Sequence, residues 1–260
     1  MDAVILCGGL GTRLREETEF RPKPMVEVGG RPILWHIVKH YRHHGIKRFI
    51  LALGYKGDVI RDYFINYHHR SRDLEVDCGA GALEVMPGRD EDILDARVVL
   101  AETGLESLTG RRMLKALRHI DGDTFLATYG DAVADVDIDA LIDTHRRMGR
   151  LATVTAVHPS SRFGELALGN GMITSFAEKP QVATGWINGG YFVFQKKAFE
   201  RLDPDGNVPL ETGLLEELAQ SGELAVHCHG GFWQCMDTYR EMQLLNDMWN
   251  SGRAPWRIWA

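Results

Sequence analysis

Ala3-Val4-Ile5-Leu6-Cys7-Gly8-Gly9-Leu10-Gly11-Thr12-Arg13-Leu14 decides how the rest of the chain is read. Its first five residues are apolar without a break, as in a strand buried on both faces of an α/β sheet. The glycines that follow let the backbone come close to a ligand and turn its N–H groups inward, which suits a polyphosphate. Arg13 adds a cation to the same loop. Lys23 stands between Pro22 and Pro24, on a segment that two fixed φ angles keep stiff. As a P-loop the stretch lacks Gly-Lys-Ser/Thr, because Gly11 runs into Thr12-Arg13. As a dinucleotide fingerprint it lacks a third glycine, where Leu14 stands. A bare glycine-rich turn needs neither Arg13 nor a braced lysine.

Outward from this loop the pattern alternates. Ile33, Leu34, Ile37, Val38 and Tyr41 recur at helical spacing, predicting a helix from Pro32 to about His44, stopped by Gly45. Phe49 to Leu53 reads as a buried strand, and Val59, Ile60, Tyr63, Phe64 and Tyr67 as a second helix. Strand, helix, strand, helix implies a right-handed parallel sheet. Asp73 to Thr103 is less regular, with short strands around Val76, Glu84 and Val99 and a charged loop from Arg89 to Asp95. Thr109-Gly110-Arg111-Arg112 opens a helix whose start suits an anion, although two solvated arginines would look the same. Thr124 to Tyr129 reads as a central strand that delivers Gly130-Asp131 to its carboxyl end, where open α/β sheets bind ligands. Asp137 reads as a helix N-cap. Leu151 to Val157 and Ile187 to Phe194 read as strands, Arg162 to Leu168 and Met172 to Ala177 as a hairpin around Gly169-Asn170-Gly171, and Thr238 onward as the last helix, opened by Asp237.

At 260 residues with 44% hydrophobic composition, the chain can fill the core of one α/β domain. The expected fold is Rossmann-like, a mostly parallel or mixed sheet flanked by helices. One domain is expected to span residues 1–260, in two halves that meet at about residue 130. A balance of 30 basic against 36 acidic residues argues against a nucleic-acid surface. Four scattered cysteines form no C-x-x-C and fit a reducing, cytoplasmic compartment. There is no signal-peptide pattern and no apolar run long enough to cross a bilayer, so no membrane partner is expected.

The loop with Arg13 and Pro22-Lys23-Pro24 resembles the signature of sugar-phosphate nucleotidyltransferases. The chain is further similar to glucose-1-phosphate cytidylyltransferases in Ile33-Leu34-Trp35-His36, Gly54-Tyr55-Lys56-Gly57, Leu108-Thr109-Gly110, Thr128-Tyr129-Gly130-Asp131, Arg162-Phe163-Gly164, Glu178-Lys179-Pro180, Ile187-Asn188-Gly189-Gly190, Phe232-Trp233-Gln234, Met236-Asp237-Thr238 and Ala254-Pro255-Trp256. Cys7 and Ala132 depart from the alanine and glycine usual there, two small changes near the nucleotide.

That resemblance implies CMP transfer from CTP to glucose 1-phosphate. It makes Arg13, Lys23, Asp131, Lys179 and Asp237 the catalytic set. Gly8, Gly9 and Gly11 would offer N–H groups to base and phosphates, with Leu6, Thr12 and Gly130 beside them and Thr109 and Arg112 approaching the cytosine or triphosphate. Arg13 would neutralise the β- and γ-phosphates, and Lys23 would hold the α-phosphate. Asp131 and Asp237 would clamp one Mg²⁺, an ion that prefers a few carboxylates plus phosphate oxygens. Lys179 would orient the sugar phosphate, with Tyr129, Gly164, Glu178 and Asn188 around the sugar. UTP or dTTP, another sugar 1-phosphate, or a non-catalytic nucleotide-binding subunit are the alternatives. The histidines, among them His36, His40 and His44, read as structural. Trp256 and Trp259 lie past the last helix and are expected to form a subunit contact, hence a homo-oligomer.

Overall fold

A computed structural model describes residues 1–86, 94–159, 165–169, 172–177 and 185–259. Seven strands form the central sheet: β1 (Asp2–Leu6), β2 (Arg48–Leu53), β3 (Arg97–Glu102), β4 (Thr124–Tyr129), β5 (Ala152–Val157), β6 (Ile187–Gln195) and β7 (Leu224–His229). Their order across the sheet is β7-β5-β6-β4-β1-β2-β3. β6 runs antiparallel to both neighbours, β4 and β5, and every other pair is parallel. The sheet is therefore mixed, and β1 lies inside its parallel stretch β4-β1-β2-β3, as its apolar run predicts.

All five residues of β1 are buried because each face of the sheet carries its own core. Ala3 and Ile5 point to one side with Phe49, Leu51, Leu126 and Tyr191, while Val4 and Leu6 point to the other with Ile50, Phe125, Ala127 and Phe192. Helix α1 (Ile33–His43) covers the first face, and α3 (Thr109–Leu117) covers the second beside β1 and β2, with α2 (Gly57–Ile65) following β2. Helix α4 (Ile138–Met148) starts where Asp137 accepts the N–H of Ala140 at 3.0 Å, the predicted cap. Helix α5 (Glu216–Gln220) and helix α6 (Tyr239–Asn250) complete the layers.

In the irregular region, Leu74–Asp77 and Ala82–Val85 pair as an exposed antiparallel ribbon outside the central sheet, whereas β3 joins its edge. Of the predicted hairpin, Glu165–Gly169 pairs antiparallel with Met172–Ala177, and residues 162–164 and 170–171 lie outside the described residues. Residues 87–93 of the charged loop lie outside the described residues.

The expected contact at Trp256 is corrected. Its indole is fully buried, stacked on Phe232 (5.5 Å between centroids) and Trp249 (6.4 Å), and its N–H points at His36 Nδ1 at 3.3 Å. Pro255 ends nothing here: the tail folds back over α1 and α6 and completes the core, so Trp256 has no surface to offer a partner.

His36 and His40 anchor α1 from within. His36 Nε2 meets the Val28 carbonyl at 2.8 Å and His40 Nε2 the Val136 carbonyl at 2.9 Å. Burial pushes both rings down to a pKa of about 4. In the unfolded chain they take a proton below about 6.5. The unfolded state thus binds more protons between those values, so this contribution is whole above about pH 6.5 and fades as pH falls toward 4. Urea midpoints are expected to drop between pH 7.5 and pH 5 by the equivalent of about 2 kcal/mol or more. His40→Asn should flatten that slope; an unchanged slope would contradict the account.

Candidate active site

The loop between β1 and the short helix Arg15–Thr18 crosses the carboxyl ends of β1, β2 and β4. Gly11 sits at φ +64°, a left-handed turn that favours glycine. Gly8 has a different constraint. A Cβ there would lie 2.2 Å from Cζ of Arg112, whose guanidinium passes directly beneath the loop.

Arg112 is buried near the start of α3. It donates to the carbonyls of Gly8 (2.9 Å), Leu53 (2.9 Å), Gly104 (2.8 Å) and Leu105 (3.0 Å) and to Thr103 Oγ1 (2.7 Å). One cation thus ties the loops after β1, β2 and β3 into the floor of a cleft. Its planar fork does this where a lysine could not.

That cleft has a volume of about 760 Å³. Leu6, Gly8, Gly9, Gly11, Thr12, Arg13, Lys23, Thr109, Arg112, Tyr129, Gly130, Asp131 and Asp237 all line it. Asn188 instead lines an adjoining cavity of about 420 Å³. Gly164, Glu178 and Lys179 lie outside the described residues.

Lys23, in the one-turn 3₁₀ helix Lys23–Met25, places its ammonium between two carboxylates. Nζ lies 2.6 Å from Asp131 Oδ2 and also bonds Asp237 Oδ1. Arg13 Nη1 takes the other oxygen of Asp237 at 2.7 Å. Burial lowers the Lys23 pKa, but the two aspartates outweigh it and hold the ammonium above its ordinary value. Burial likewise raises Asp237, and Lys23 and Arg13 outweigh that to hold its carboxyl below the usual range. Lys23 and Asp237 therefore stay charged at neutral pH.

Each aspartate is held by its element. Asp131 follows β4 at the sheet's carboxyl edge, where its carbonyl accepts the N–H of Met236 at 2.9 Å. Asp237 precedes α6, whose capping box joins Thr238 and Glu241, and Glu241 also accepts the Asp237 N–H at 2.7 Å. Two carboxylates far apart in the sequence thus face one cation position. That donor set fits a divalent ion with phosphate oxygens completing its shell.

The family described as nucleotidyl transferase matches residues 2–242. The chain belongs to this family. It is 48% identical over 260 residues to the glucose-1-phosphate cytidylyltransferase of Salmonella typhimurium and 44% identical over 259 residues to the probable glucose-1-phosphate cytidylyltransferase of Bacillus subtilis, covering 100% of each chain in both cases. The resemblance read from the sequence is borne out at full length. For the fold, this nucleotidyl transferase is similar to the crystal structure of HddC from Yersinia pseudotuberculosis, with a TM-score of 0.68 and 24% identity over 95% of this chain and 99% of that one.

Two parts of the cleft of this nucleotidyl transferase were not singled out in its sequence. Trp233 lines it and donates its indole N–H to the Gly189 carbonyl at 2.8 Å. Glu211 lines both the cleft and the adjoining cavity. Trp233 belongs to a quoted motif and could have been found there. Glu211 sits in a polar stretch with no periodic signal.

Proposed function

We propose that the chain catalyses the Mg²⁺-dependent transfer of CMP from CTP to α-D-glucose 1-phosphate, giving CDP-glucose and pyrophosphate. One observation carries the reading of the site: Asp131 and Asp237, far apart in sequence, share the ammonium of Lys23 beside a glycine loop. The full-length relatives named for this reaction support the substrates.

An oxygen of the sugar's phosphate forms the new bond to the α-phosphorus while the α–β bridge breaks, and pyrophosphate carries away the electron pair. Such transfer is governed by position and charge rather than by a protein nucleophile. When bound between the two carboxylates, Mg²⁺ would neutralise charge on the triphosphate. Lys23 is placed to exchange a carboxylate for an α-phosphate oxygen, and Arg13 to meet the β- and γ-phosphates. The N–H groups of Gly8, Gly9 and Gly11 receive the nucleotide, and Arg112 keeps their loop in place from below. Lys179 orients the sugar phosphate, with Tyr129, Gly164, Glu178 and Asn188 around the sugar.

Initial rates of pyrophosphate release for CTP, UTP and dTTP, each paired with several sugar 1-phosphates, test this reading. CTP with glucose 1-phosphate should exceed every other pair by at least about tenfold; a different best pair would overturn it. Arg112→Lys is expected to raise the KM for CTP about tenfold, because an ammonium cannot serve five acceptors in three loops. An unchanged KM would show that the loop needs no such staple. We further infer that the enzyme is cytoplasmic and acts as a homo-oligomer, which sedimentation of the purified protein would test.

A further inference from the structure

Glu211 stands at the wall between the cleft and the adjoining cavity. It opens a π-helical turn, Glu211–Leu215, a rare element that gathers at functional sites. Its carboxylate accepts hydroxyl hydrogen bonds from two elements: Tyr129 at the end of β4, and Thr109 at the start of α3, the latter at 2.9 Å. Thr109 Oγ1 accepts the N–H of Leu210 at 2.7 Å, which locks the turn against α3.

A carboxylate has about four acceptor positions, and these two hydroxyls use half of them. Among the described residues no cation pairs with this carboxylate, and a bare anion repels a phosphate, so the partner it takes is a neutral donor. The adjoining cavity supplies the context. Its wall brings Glu211 together with Asn188 and with Trp186, whose half-exposed indole lies 3.9 Å from the His158 ring. A carboxylate, an amide and an indole around about 420 Å³ suit a sugar ring, with hydroxyls on the polar groups and C–H faces on the indole.

We propose that Glu211 reads the acceptor sugar, its carboxylate accepting one hydroxyl of the hexose 1-phosphate while Tyr129 and Thr109 fix its direction. This rests on the reading of the acceptor as a sugar phosphate.

The test compares wild type, Glu211→Ala and Glu211→Gln, using the hexose 1-phosphate that wild type accepts best and its 2-, 3-, 4- and 6-deoxy analogues. In wild type, removal of the hydroxyl that is read should cost about a hundredfold or more in kcat/KM. In Glu211→Ala the same removal should cost less than about threefold, with the KM for CTP moving by no more than about threefold. Should Glu211→Ala fail to fold by circular dichroism, Glu211→Gln keeps the shape, and its amide, which must donate as well as accept, should also erode the preference. Unchanged preference among the deoxy analogues in folded variants would overturn the proposal. So would loss of discrimination against 3′-deoxy-CTP instead, which would move the contact to the ribose. Absence of wild-type turnover with every hexose 1-phosphate would overturn the reaction itself, a result distinct from either.

Discussion

Asp131→Asn is expected to lower kcat by about three orders of magnitude while CTP binding weakens by less than about tenfold. The asparagine keeps the size of the side chain and removes the charge. In the present geometry Asp131 lies 2.6 Å from Lys23, and Asp237 bonds the same ammonium. Losing one of the two carboxylates leaves Asp237 to face both Lys23 and Arg13, so the site turns net positive, and a metal held by the pair would lose half of its protein ligands. Nucleotide binding persists because the glycine loop is held by Arg112, which touches neither aspartate. Pyrophosphate release at saturating Mg²⁺, set beside calorimetric titration of CTP, separates the two effects. A turnover within about tenfold of wild type would remove Asp131 from the catalytic set. The double variant with Asp237→Asn should cost little more than either single change, because residues that act as one unit are not additive.

Trp256→Ala is expected to cost about 3 to 5 kcal/mol of stability, the range for removing a large aromatic from a packed core. The side chain is fully buried among Phe232, Trp249 and His36, and its removal also takes away the N–H that points at His36 Nδ1. Urea unfolding measures the loss. Elution volume on a sizing column should stay that of wild type wherever the variant is folded, since no surface changes. A stability loss below about 1 kcal/mol would contradict the buried assignment.

Much of this architecture was legible because local pattern carries it. The run Ala3 to Cys7 had to be a doubly buried strand, and the two cores on either side of β1 are the reason. Asp137 as a cap and Thr238 as the start of the last helix follow from side-chain chemistry within four residues. What failed to show was long-range. A strand reads alike in either direction, so the antiparallel course of β6 had no signature in Ile187 to Phe194. Trp256 was placed outside because it follows the last helix, and nothing local announces that the tail turns back onto His36. Arg112 near a helix start suggests an anion, yet its partners are carbonyls from three loops that meet only in the fold. The convergence of Asp131 with Asp237 came from resemblance alone; no spacing rule links residues so far apart.

The capping box at Thr238 has a consequence for damage to the protein. It makes the last helix the mooring of Asp237, although that helix contributes nothing to the central sheet. A protease that trims the chain back through Glu241 would strip the buried Leu245 and Trp256 from the core and set Asp237 adrift in the same cut, so inactivation and loss of stability would arrive together.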